Sequence, residues 1–293
     1  MTLHEHVTRA RERLQVAGIE PGEARMDAEL LARHALRWDR VRFVVHRHER
    51  PPNGFARAYE QLIIRRARRE PAALILGRRE FWGLDFEVSS DTLIPRPETE
   101  IVVERVLAAF RDRRPPASIV DVGTGTGCLA VALAREFEEA TVIGTDLSDA
   151  AIAMARRNAR RHGVDDRVSF RRADVLDGID GRPDLVVSNP PYVPAADGPT
   201  LPPEVREFEP PGALFAGRDG LRVIRALVRQ AGQRLRSHGM LAFEIGADQR
   251  EATAEILRRE RRLSAPTFHR DLQGIPRVAV ATRRPDTRRS ANG

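Results

Sequence analysis

Several features that would decide the class of a protein are missing from this sequence. Cys128 is its single cysteine, so neither an internal disulfide nor a cysteine-based zinc site can form. Lysine is absent, and arginine supplies all 49 basic residues. No apolar run approaches the roughly 18 residues of a membrane helix, and the N-terminus has no basic-then-apolar export pattern. These absences exclude a secreted or zinc-ribbon protein and predict a cytoplasmic one that does not enter a membrane.

The net charge of +7 comes from the two ends of the chain. Residues 1–90 hold 17 Arg against 13 acids, residues 282–293 hold four Arg against one Asp, and residues 91–281 hold 28 of each. A protein that binds nucleic acid through its phosphates concentrates basic residues on the reactive face. The neutral middle therefore indicates that no direct nucleic-acid partner is required, and we interpret the arginines as a compositional habit of the source.

The periodicity of apolar residues divides the chain into four segments. Residues 1–77 predict a small helical domain. Residues 78–97 predict a hairpin that turns near Gly83, followed by a proline-rich linker. Over residues 98–282 strand and helix patterns alternate, which predicts an α/β domain whose mostly parallel sheet is covered by helices. Residues 283–293 are predicted to form a disordered tail. We find no internal repeat.

Residues 1–77 contain signals for three long helices. Thr2 and Glu5 form a capping-box pattern at the start of the first helix. Pro21 suits the first position of the second helix, because the missing N–H of proline has no partner there in any case. Asn53 is a candidate N-cap for the third. The many charges of this segment predict a solvated outer face.

A glycine-rich loop, Gly123-Thr124-Gly125-Thr126-Gly127, follows a predicted strand at 118–122 and opens a predicted helix. Glycines there permit a tight turn and let a ligand approach the main chain closely. The spacing differs from the dinucleotide-binding fingerprint, and no P-loop lysine follows. Asp146, ending the next strand, suits two ribose hydroxyls, and Asp174, ending the third, suits an adenine amine. Together they predict a ligand that carries a nucleoside; a bare tight turn is the alternative for the loop alone.

A second motif, Asn189-Pro190-Pro191-Tyr192, follows a predicted strand at 184–188. Its two prolines restrict the backbone, so the side-chain oxygen of Asn189 and the carbonyl oxygen of Pro190 are expected to face one small volume. Two adjacent acceptors suit an NH₂ group with two hydrogens to donate, and Tyr192 offers a flat face to a planar amide or base. Both motifs end strands, where ligands of open α/β sheets bind. The alternative is a loop stiffened by proline.

At these residues the chain resembles the class I S-adenosyl-L-methionine-dependent methyltransferases that modify planar amino nitrogens. Further segments resemble the HemK/PrmC family, the protein-(glutamine-N5) methyltransferases of peptide-chain release factors: PAALILG at 71–77, REFWGLDFEV at 79–88, LIPRPETE at 93–100 and FEIGADQ at 243–249. The resemblance extends over about residues 21–281. NPPY alone is shared with DNA and RNA amino-methyltransferases, whereas the PRPETE and FWGLDF segments are more specific.

The resemblance implies a Rossmann-like domain with a mostly parallel seven-stranded sheet, preceded by a helical domain that would bind the protein substrate. The implied reaction moves a methyl group from S-adenosyl-L-methionine to the glutamine of the Gly-Gly-Gln motif of release factors and leaves S-adenosyl-L-homocysteine. A monomer without a metal is expected. The implied cofactor site comprises Gly123, Thr124, Gly125, Thr126, Gly127, Asp146, Asp174, Val175 and Asn189. The implied substrate clamp comprises Asn189, Pro190, Pro191 and Tyr192, with Asn189, Pro190 and Tyr192 as its catalytic members. Where this chain has Val175, family members often carry an aromatic residue.

Other functions fit the sequence less well. The histidine pairs His4/His6 and His46/His48 argue against a metal enzyme, because residues two apart cannot place both rings on one helix face. A serine hydrolase is excluded because no G-x-S-x-G motif occurs. A DNA or RNA adenine methyltransferase would turn its base onto the same clamp, but the neutral residues 91–281 disfavour it. A methyltransferase of a ribosomal-protein glutamine and an inactive binding module remain as alternatives.

Overall fold

The structure is a computed structural model that describes residues 1–285. Within them the α-helices are α1 (Leu3–Val16), α2 (Pro21–Leu36), α3 (Arg40–His46), α4 (Phe55–Ala67), α5 (Ala72–Leu76), α6 (Glu100–Phe110), α7 (Cys128–Glu136), α8 (Asp149–Arg161), α9 (Pro203–Phe208), α10 (Pro211–Leu214), α11 (Arg222–Arg234) and α12 (Arg250–Arg259). The strands are β1 (Arg78–Phe81), β2 (Leu84–Glu87), β3 (Ser118–Val122), β4 (Thr141–Asp146), β5 (Val168–Arg172), β6 (Leu185–Ser188), β7 (Met240–Glu244), β8 (Thr267–Arg270) and β9 (Pro276–Thr282).

The first compact unit is helical and comprises residues 1–78 together with residues 202–208. The predicted capping box is present at Thr2, and Pro21 is the first residue of α2. The prediction for Asn53 is wrong, because Gly54 in a left-handed conformation precedes α4 and provides no side-chain cap. The short helices α3 and α5 were not predicted, since five to seven residues give too little periodicity to detect.

The segment 202–208 departs from the predicted domain limits, which assigned it to the α/β domain. Its acid Glu204 accepts hydrogen bonds from Arg66 Nη1 at 2.9 Å and from Arg69 Nε at 2.6 Å. Although burial alone would raise it, the pKa of Glu204 lies below its ordinary value because Arg69 and Arg66 donate to its carboxylate. These ion pairs explain why residues 202–208 belong to the helical unit.

The second compact unit comprises residues 79–201 and the described chain from Glu209 onward. Its sheet has the strand order β5-β4-β3-β6-β7-β9-β8. The first five of these strands are parallel, and β9 is antiparallel to both β7 and β8. The predicted mostly parallel seven-stranded sheet is confirmed. The predicted hairpin is also present, as β1 and β2 with Trp82 and Gly83 at positive φ between them.

Residues of the central strands alternate between two apolar clusters, one on each face of the sheet. Ile119 and Leu185 pack with helices α6, α7 and α8, whereas Val120 and Val186 pack with helices α11 and α12. Both faces of the parallel strands are therefore buried, as a doubly covered sheet requires. Only the ends of these strands are open to ligands, and that places the site.

The disordered tail was predicted to begin at residue 283, but residues 283 and 284 are still part of the folded unit. Arg283 is buried and its N–H donates to Gly239 O at 2.7 Å, while Arg284 N–H donates to Arg262 O at 2.8 Å. The rest of that prediction, from residue 286 onward, lies outside the described residues. Over residues 1–285, none of the helices combines the length and the apolar character needed to cross a bilayer.

Candidate active site

The two sequence motifs lie side by side because their strands are neighbours. Strands β3 and β6 pair in parallel with Val122 opposite Ser188, and the Ser188 hydroxyl donates to Val122 O at 2.7 Å. Gly123 and Asn189 therefore follow adjacent strand ends. At β3 the strand order reverses, since β4 and β5 lie on one side and β6 and β7 on the other. This switch point is the usual ligand crevice of an open α/β sheet.

The glycine loop adopts the conformation for which its glycines are suited. Gly123, Gly125 and Gly127 all have positive φ, at 68°, 53° and 81°. A Cβ at Gly127 would lie 3.1 Å from the Cβ of Ala155, so this glycine serves the packing of α7 against α8. A Cβ at Gly123 would meet no protein atom closer than 3.9 Å. Its positive φ favours glycine at residue 123, and the open space beside it leaves room for a ligand to approach the main chain.

Two acids fix this loop through hydrogen bonds. Asp121 Oδ2 accepts from the Thr124 hydroxyl at 2.6 Å and from Ala130 N–H at 3.2 Å, and its buried Oδ1 has no hydrogen-bond partner within the described chain. Asp146 Oδ2 accepts from Gly125 N–H at 3.0 Å. The carboxylate of Asp146 thus closes the glycine loop, a role that the ribose interpretation did not foresee. Its binding of ribose stays a prediction.

Asp174 lies two residues beyond the end of β5, not at its end as predicted. The next residue, Val175, has φ of 59°, which is a rare and strained conformation for a β-branched side chain. Its carbonyl oxygen accepts from the Thr145 hydroxyl at 2.8 Å. Strain of this kind is often found beside a binding site, where surrounding contacts maintain it.

A cavity of about 250 Å³ opens at these strand ends. Eight of the residues predicted for the cofactor or the substrate line it, namely Gly123, Thr124, Thr126, Asp146, Asp174, Val175, Asn189 and Pro191. Pro190, Tyr192, Gly125 and Gly127 are not among its lining residues. Other walls come from residues to which the sequence assigned no role, including Asp91, Thr92, Leu93, Pro210, Gly212 and Ala213.

Within the described residues, the side-chain amide of Asn189 is hydrogen-bonded through its nitrogen but not through its oxygen. Its Nδ2 donates to Thr99 Oγ1 at 2.9 Å, while its Oδ1 has no hydrogen-bond partner among residues 1–285. The Tyr192 hydroxyl donates to Glu244 Oε1 at 3.1 Å, and Tyr192 O accepts from Gln249 Nε2 at 2.8 Å. Burial raises the pKa of the Tyr192 hydroxyl. The clamp therefore combines a free amide oxygen with an anchored tyrosine.

Comparison with known proteins identifies the family. The family model described as PrmC N-terminal domain matches residues 5–77, and that described as Methyltransferase small domain matches residues 99–199. The release factor glutamine methyltransferase of Cereibacter sphaeroides is 44% identical over 84% of this chain and 86% of its own length. That of Geobacter sulfurreducens is 44% identical over 89% of each chain. The chain belongs to the release factor glutamine methyltransferase family.

Solved structures with low identity support the fold alone. The N-terminal domain of human METTL16, solved in complex with SAH, has a TM-score of 0.51 and 17% identity to this chain, and the match covers 70% of this chain and 77% of that one.

The residues present fit the nucleoside cofactor that this methyltransferase family implies. The loop has room at Gly123 where a side chain would fill the cavity. Three acids that line the same cavity, Asp121, Asp146 and Asp174, suit a ligand with hydroxyl, ammonium and amine donors. Asp121 Oδ1, which is buried without a partner within the described residues, adds one acceptor. Among these same residues no group of three or more His, Cys, Asp or Glu side chains could hold a metal.

Two polar residues that bond the clamp, Thr99 and Glu244, were not among the predicted site residues. Thr99 Oγ1 donates to Glu244 Oε2 at 2.6 Å and accepts from the Asn189 amide, so the two residues connect α6 and β7 to the NPPY loop. The sequence around Glu244 does indicate that this residue is unusual. It is an acid in the otherwise apolar run Met240–Ile245, and a buried charged residue in a strand needs a polar partner.

Asp121 leads to a prediction about pH and stability. Burial raises the pKa of its carboxyl to about 7, the hydrogen bonds from Thr124 and Ala130 lower it, and the charge of Asp146 raises it. The unfolded chain loses this proton near pH 4, so between about pH 4 and 7 only the folded state retains it. The free energy of unfolding therefore falls as the pH rises through that window, by up to about 1.4 kcal/mol per pH unit.

We expect Asp121→Asn to remove this decline. Urea unfolding of the full chain at pH 5, 6 and 7 should give a flatter free energy of unfolding for the variant than for the wild type. Asp180→Asn, at a side chain that is 98% exposed, is the matched control and should follow the wild type. An Asp121→Asn variant with the wild-type slope would show that Asp121 is already ionised at pH 5.

Proposed function

We propose that this protein transfers a methyl group from S-adenosyl-L-methionine to the side-chain amide nitrogen of the glutamine in the Gly-Gly-Gln motif of peptide-chain release factors, leaving S-adenosyl-L-homocysteine. We further propose that it acts in the cytoplasm as a monomer and without nucleic acid. Its membership in the release factor glutamine methyltransferase family supports the choice of substrate. The lining of the cavity supports the choice of cofactor.

The single observation that supports this chemistry best is the oxygen of Asn189. Less than 1 Å² of Asn189 Oδ1 is exposed, and it accepts no hydrogen bond within residues 1–285. An unsatisfied buried acceptor costs about 1–3 kcal/mol, so such an atom is suited to a donor that arrives with the substrate. Because Oδ1 is covered, the walls of the cavity must shift slightly when a glutamine NH₂ group reaches it.

The reaction needs orientation more than proton removal. The lone pair of an amide nitrogen is delocalised into its carbonyl, which makes glutamine a poor nucleophile. Acceptors that bind both N–H groups would direct the remaining lone pair at the methyl carbon and would stabilise the positive charge that develops on nitrogen. The new N–C bond forms as the C–S bond breaks, with its electron pair moving to sulfur. The nitrogen then loses a proton to water.

Asn189 and the carbonyl of Pro190 are the two acceptors in this proposal, and Tyr192 would pack against the plane of the amide. Pro190 is buried and Tyr192 is anchored by its hydroxyl, so both have a restricted position. Convergence of the two oxygens on one substrate nitrogen stays a prediction. The helical unit, residues 1–78 with 202–208, would bind the rest of the release factor.

A transfer assay tests the proposal directly. The purified chain is incubated with S-adenosyl-L-methionine labelled in its methyl group and, in separate reactions, with a release factor, with total ribosomal proteins and with DNA. We expect label on the release factor alone, and none when the glutamine of its Gly-Gly-Gln motif is changed to alanine. Label on ribosomal protein or DNA without label on the release factor would replace the proposal with a rival methyltransferase. Absence of transfer in every arm would indicate a binding module.

A further inference from the structure

The orientation of the Asn189 amide decides whether the proposed clamp can work. A side-chain amide has two orientations that exchange the positions of its oxygen and its NH₂ group. A substrate NH₂ group donates hydrogens, so only the orientation that leaves Oδ1 free can bind it. The opposite orientation would present two further donors to the substrate. The fold must therefore select one orientation.

A hydroxyl alone cannot make this selection. Thr99 Oγ1, which is the partner of Asn189 Nδ2, has one hydrogen to donate and lone pairs with which to accept. If that hydrogen were free, Thr99 could bond equally well to the oxygen or to the NH₂ group of Asn189. In the structure the hydrogen is engaged elsewhere, because Thr99 Oγ1 donates to Glu244 Oε2 at 2.6 Å.

The carboxylate of Glu244 thus determines what Thr99 can offer to Asn189. Burial raises the pKa of Glu244, and the hydrogen bonds from Thr99 and Tyr192 oppose that rise. In the structure Glu244 Oε2 accepts the hydrogen of Thr99, which leaves Thr99 Oγ1 as an acceptor for Asn189 Nδ2, at 2.9 Å. Glu244 is 1% exposed and Thr99 is 1% exposed, so water does not compete for either group. The second oxygen of Glu244 accepts from the Tyr192 hydroxyl at 3.1 Å.

We propose that Glu244 and Thr99 are positioning residues for methyl transfer, which orient the Asn189 amide so that its oxygen is left for the substrate and hold Tyr192 by the same carboxylate. This inference rests on the function proposed above but concerns two residues outside the predicted cofactor site and substrate clamp, of which Thr99 lines the cavity beside Asn189. A single buried carboxylate sets the polarity of two hydrogen bonds in series. The same carboxylate explains why β7 ends with a buried acid.

Thr99→Val tests the proposal, since valine has nearly the same shape but neither accepts from Asn189 nor donates to Glu244. With the release factor as substrate, we expect kcat to fall about 10- to 100-fold, while the affinity for S-adenosyl-L-methionine stays within about threefold. Thr99→Ser should restore kcat to within about threefold of wild type, because serine retains the hydroxyl. Thr253→Val is the matched control, at a fully buried threonine on α12 whose hydroxyl has no hydrogen-bond partner within the described chain.

A second pair of variants isolates the carboxylate. Glu244→Leu should lower kcat at least as much as Thr99→Val, because the freed Thr99 hydrogen can then bond to Asn189 Oδ1. Since both variants act through one amide, the double variant should lose less than the product of the two single losses. Full wild-type kcat in either single variant, or independent losses that multiply, would overturn the proposal.

A spectroscopic readout separates this inference from the proposed function, because it needs no substrate. The sequence has only four asparagines, so selective ¹⁵N labelling of asparagine gives four side-chain NH₂ signals, and Asn189→Ala identifies the one of interest. Asn158, whose Nδ2 donates to Glu87 O and Thr126 O, supplies an internal reference. We expect the Asn189 signal to be protected from hydrogen exchange in wild type, Thr99→Ser and Thr253→Val, and unprotected in Thr99→Val.

If Thr99→Val does not fold, Thr99→Ala is measured in its place with the same expectations. Protection of the Asn189 NH₂ group that persists without a hydroxyl at residue 99 would overturn the positioning role, even where methyl transfer is active. Protection that is lost as expected, in a protein that transfers no methyl group to a release factor, would support the orienting network and overturn the proposed function instead.

Discussion

Replacing Asn189 with alanine is expected to lower kcat for methyl transfer to a release factor by about 100- to 1,000-fold, the usual cost of removing one hydrogen bond that stabilises developing charge. Asn189 lines the cavity, and its side-chain oxygen is buried without a hydrogen-bond partner in the described residues. Alanine would leave the substrate NH₂ group bound on one side at most. The nitrogen lone pair would then point at the methyl carbon in only a fraction of encounters.

Binding of the cofactor should change far less than turnover in this variant, although the resemblance also assigns Asn189 to the cofactor site. The glycine loop and the acids Asp121 and Asp146 are bonded to one another and not to Asn189. The affinity for S-adenosyl-L-methionine, measured by calorimetry, is thus the internal control and should remain within a few-fold of wild type. A kcat within a few-fold of wild type would mean that Asn189 is not the acceptor. A parallel loss of cofactor affinity would assign it to cofactor binding.

The parallel half of the sheet was predictable because its strands are short, apolar and followed by turn residues. The predicted strand at 118–122 has the bounds of β3, and the end predicted at Ser188 is the end of β6. Such strands are buried on both faces, which makes them continuous apolar runs that stand out in a sequence. The glycine loop after β3 and the prolines after β6 mark their ends chemically.

The antiparallel edge of the sheet was not predictable in the same way. Strand β8 has the sequence Thr-Phe-His-Arg and is mostly exposed or half-buried, and β9 begins at Pro276 and continues with Arg277. Strand β8 shows neither an apolar run nor a clear alternation, and the apolar run of β9 is confined to residues 278–281. Their pairing with each other and with β7 decides that they are strands, and pairing between distant segments leaves little trace in local composition.

In the site, too, features that are contiguous in the sequence were predictable, whereas contacts between distant residues were not. The loop at 123–127 and the NPPY motif are contiguous, so their chemistry could be inferred from spacing alone. The bonds that orient them join Thr99 to Asn189 and to Glu244, which lie 90 and 145 positions away in the sequence. The closure of the glycine loop by Asp146 is likewise a contact across two strands. A single sequence, considered without its relatives, therefore predicts the reactive groups but not the residues that position them.

A change in the helical unit is expected to give the largest effect on stability. The guanidinium of Arg66 is fully buried and donates to Asp27 at 2.6 Å, to Glu23 at 2.9 Å and to Glu204 at 2.9 Å. Removing the cation leaves Asp27 and Glu204, whose side chains are only 11% and 14% exposed, without its charge in a place that water hardly reaches. Breaking a buried ion pair from one side costs about 3–5 kcal/mol, and we expect Arg66→Ala to destabilise the helical unit by that amount.

Two further variants assign the cause. Arg66→Met retains most of the side-chain volume but no charge, so a loss similar to that of Arg66→Ala would identify the ion pairs, and not packing, as the source of stability. Arg65→Ala removes the neighbouring arginine on the same helix, which pairs with Glu70 from a side chain that is 44% exposed, and should cost no more than about 1 kcal/mol. Hydrogen exchange of α2 and α4 amides in the full chain measures the helical unit separately from the sheet. Equal protection in Arg66→Ala and Arg65→Ala would show that the buried cation contributes no more than a surface pair, and that the anchoring of residues 202–208 depends on Arg69, which donates to both oxygens of Glu204.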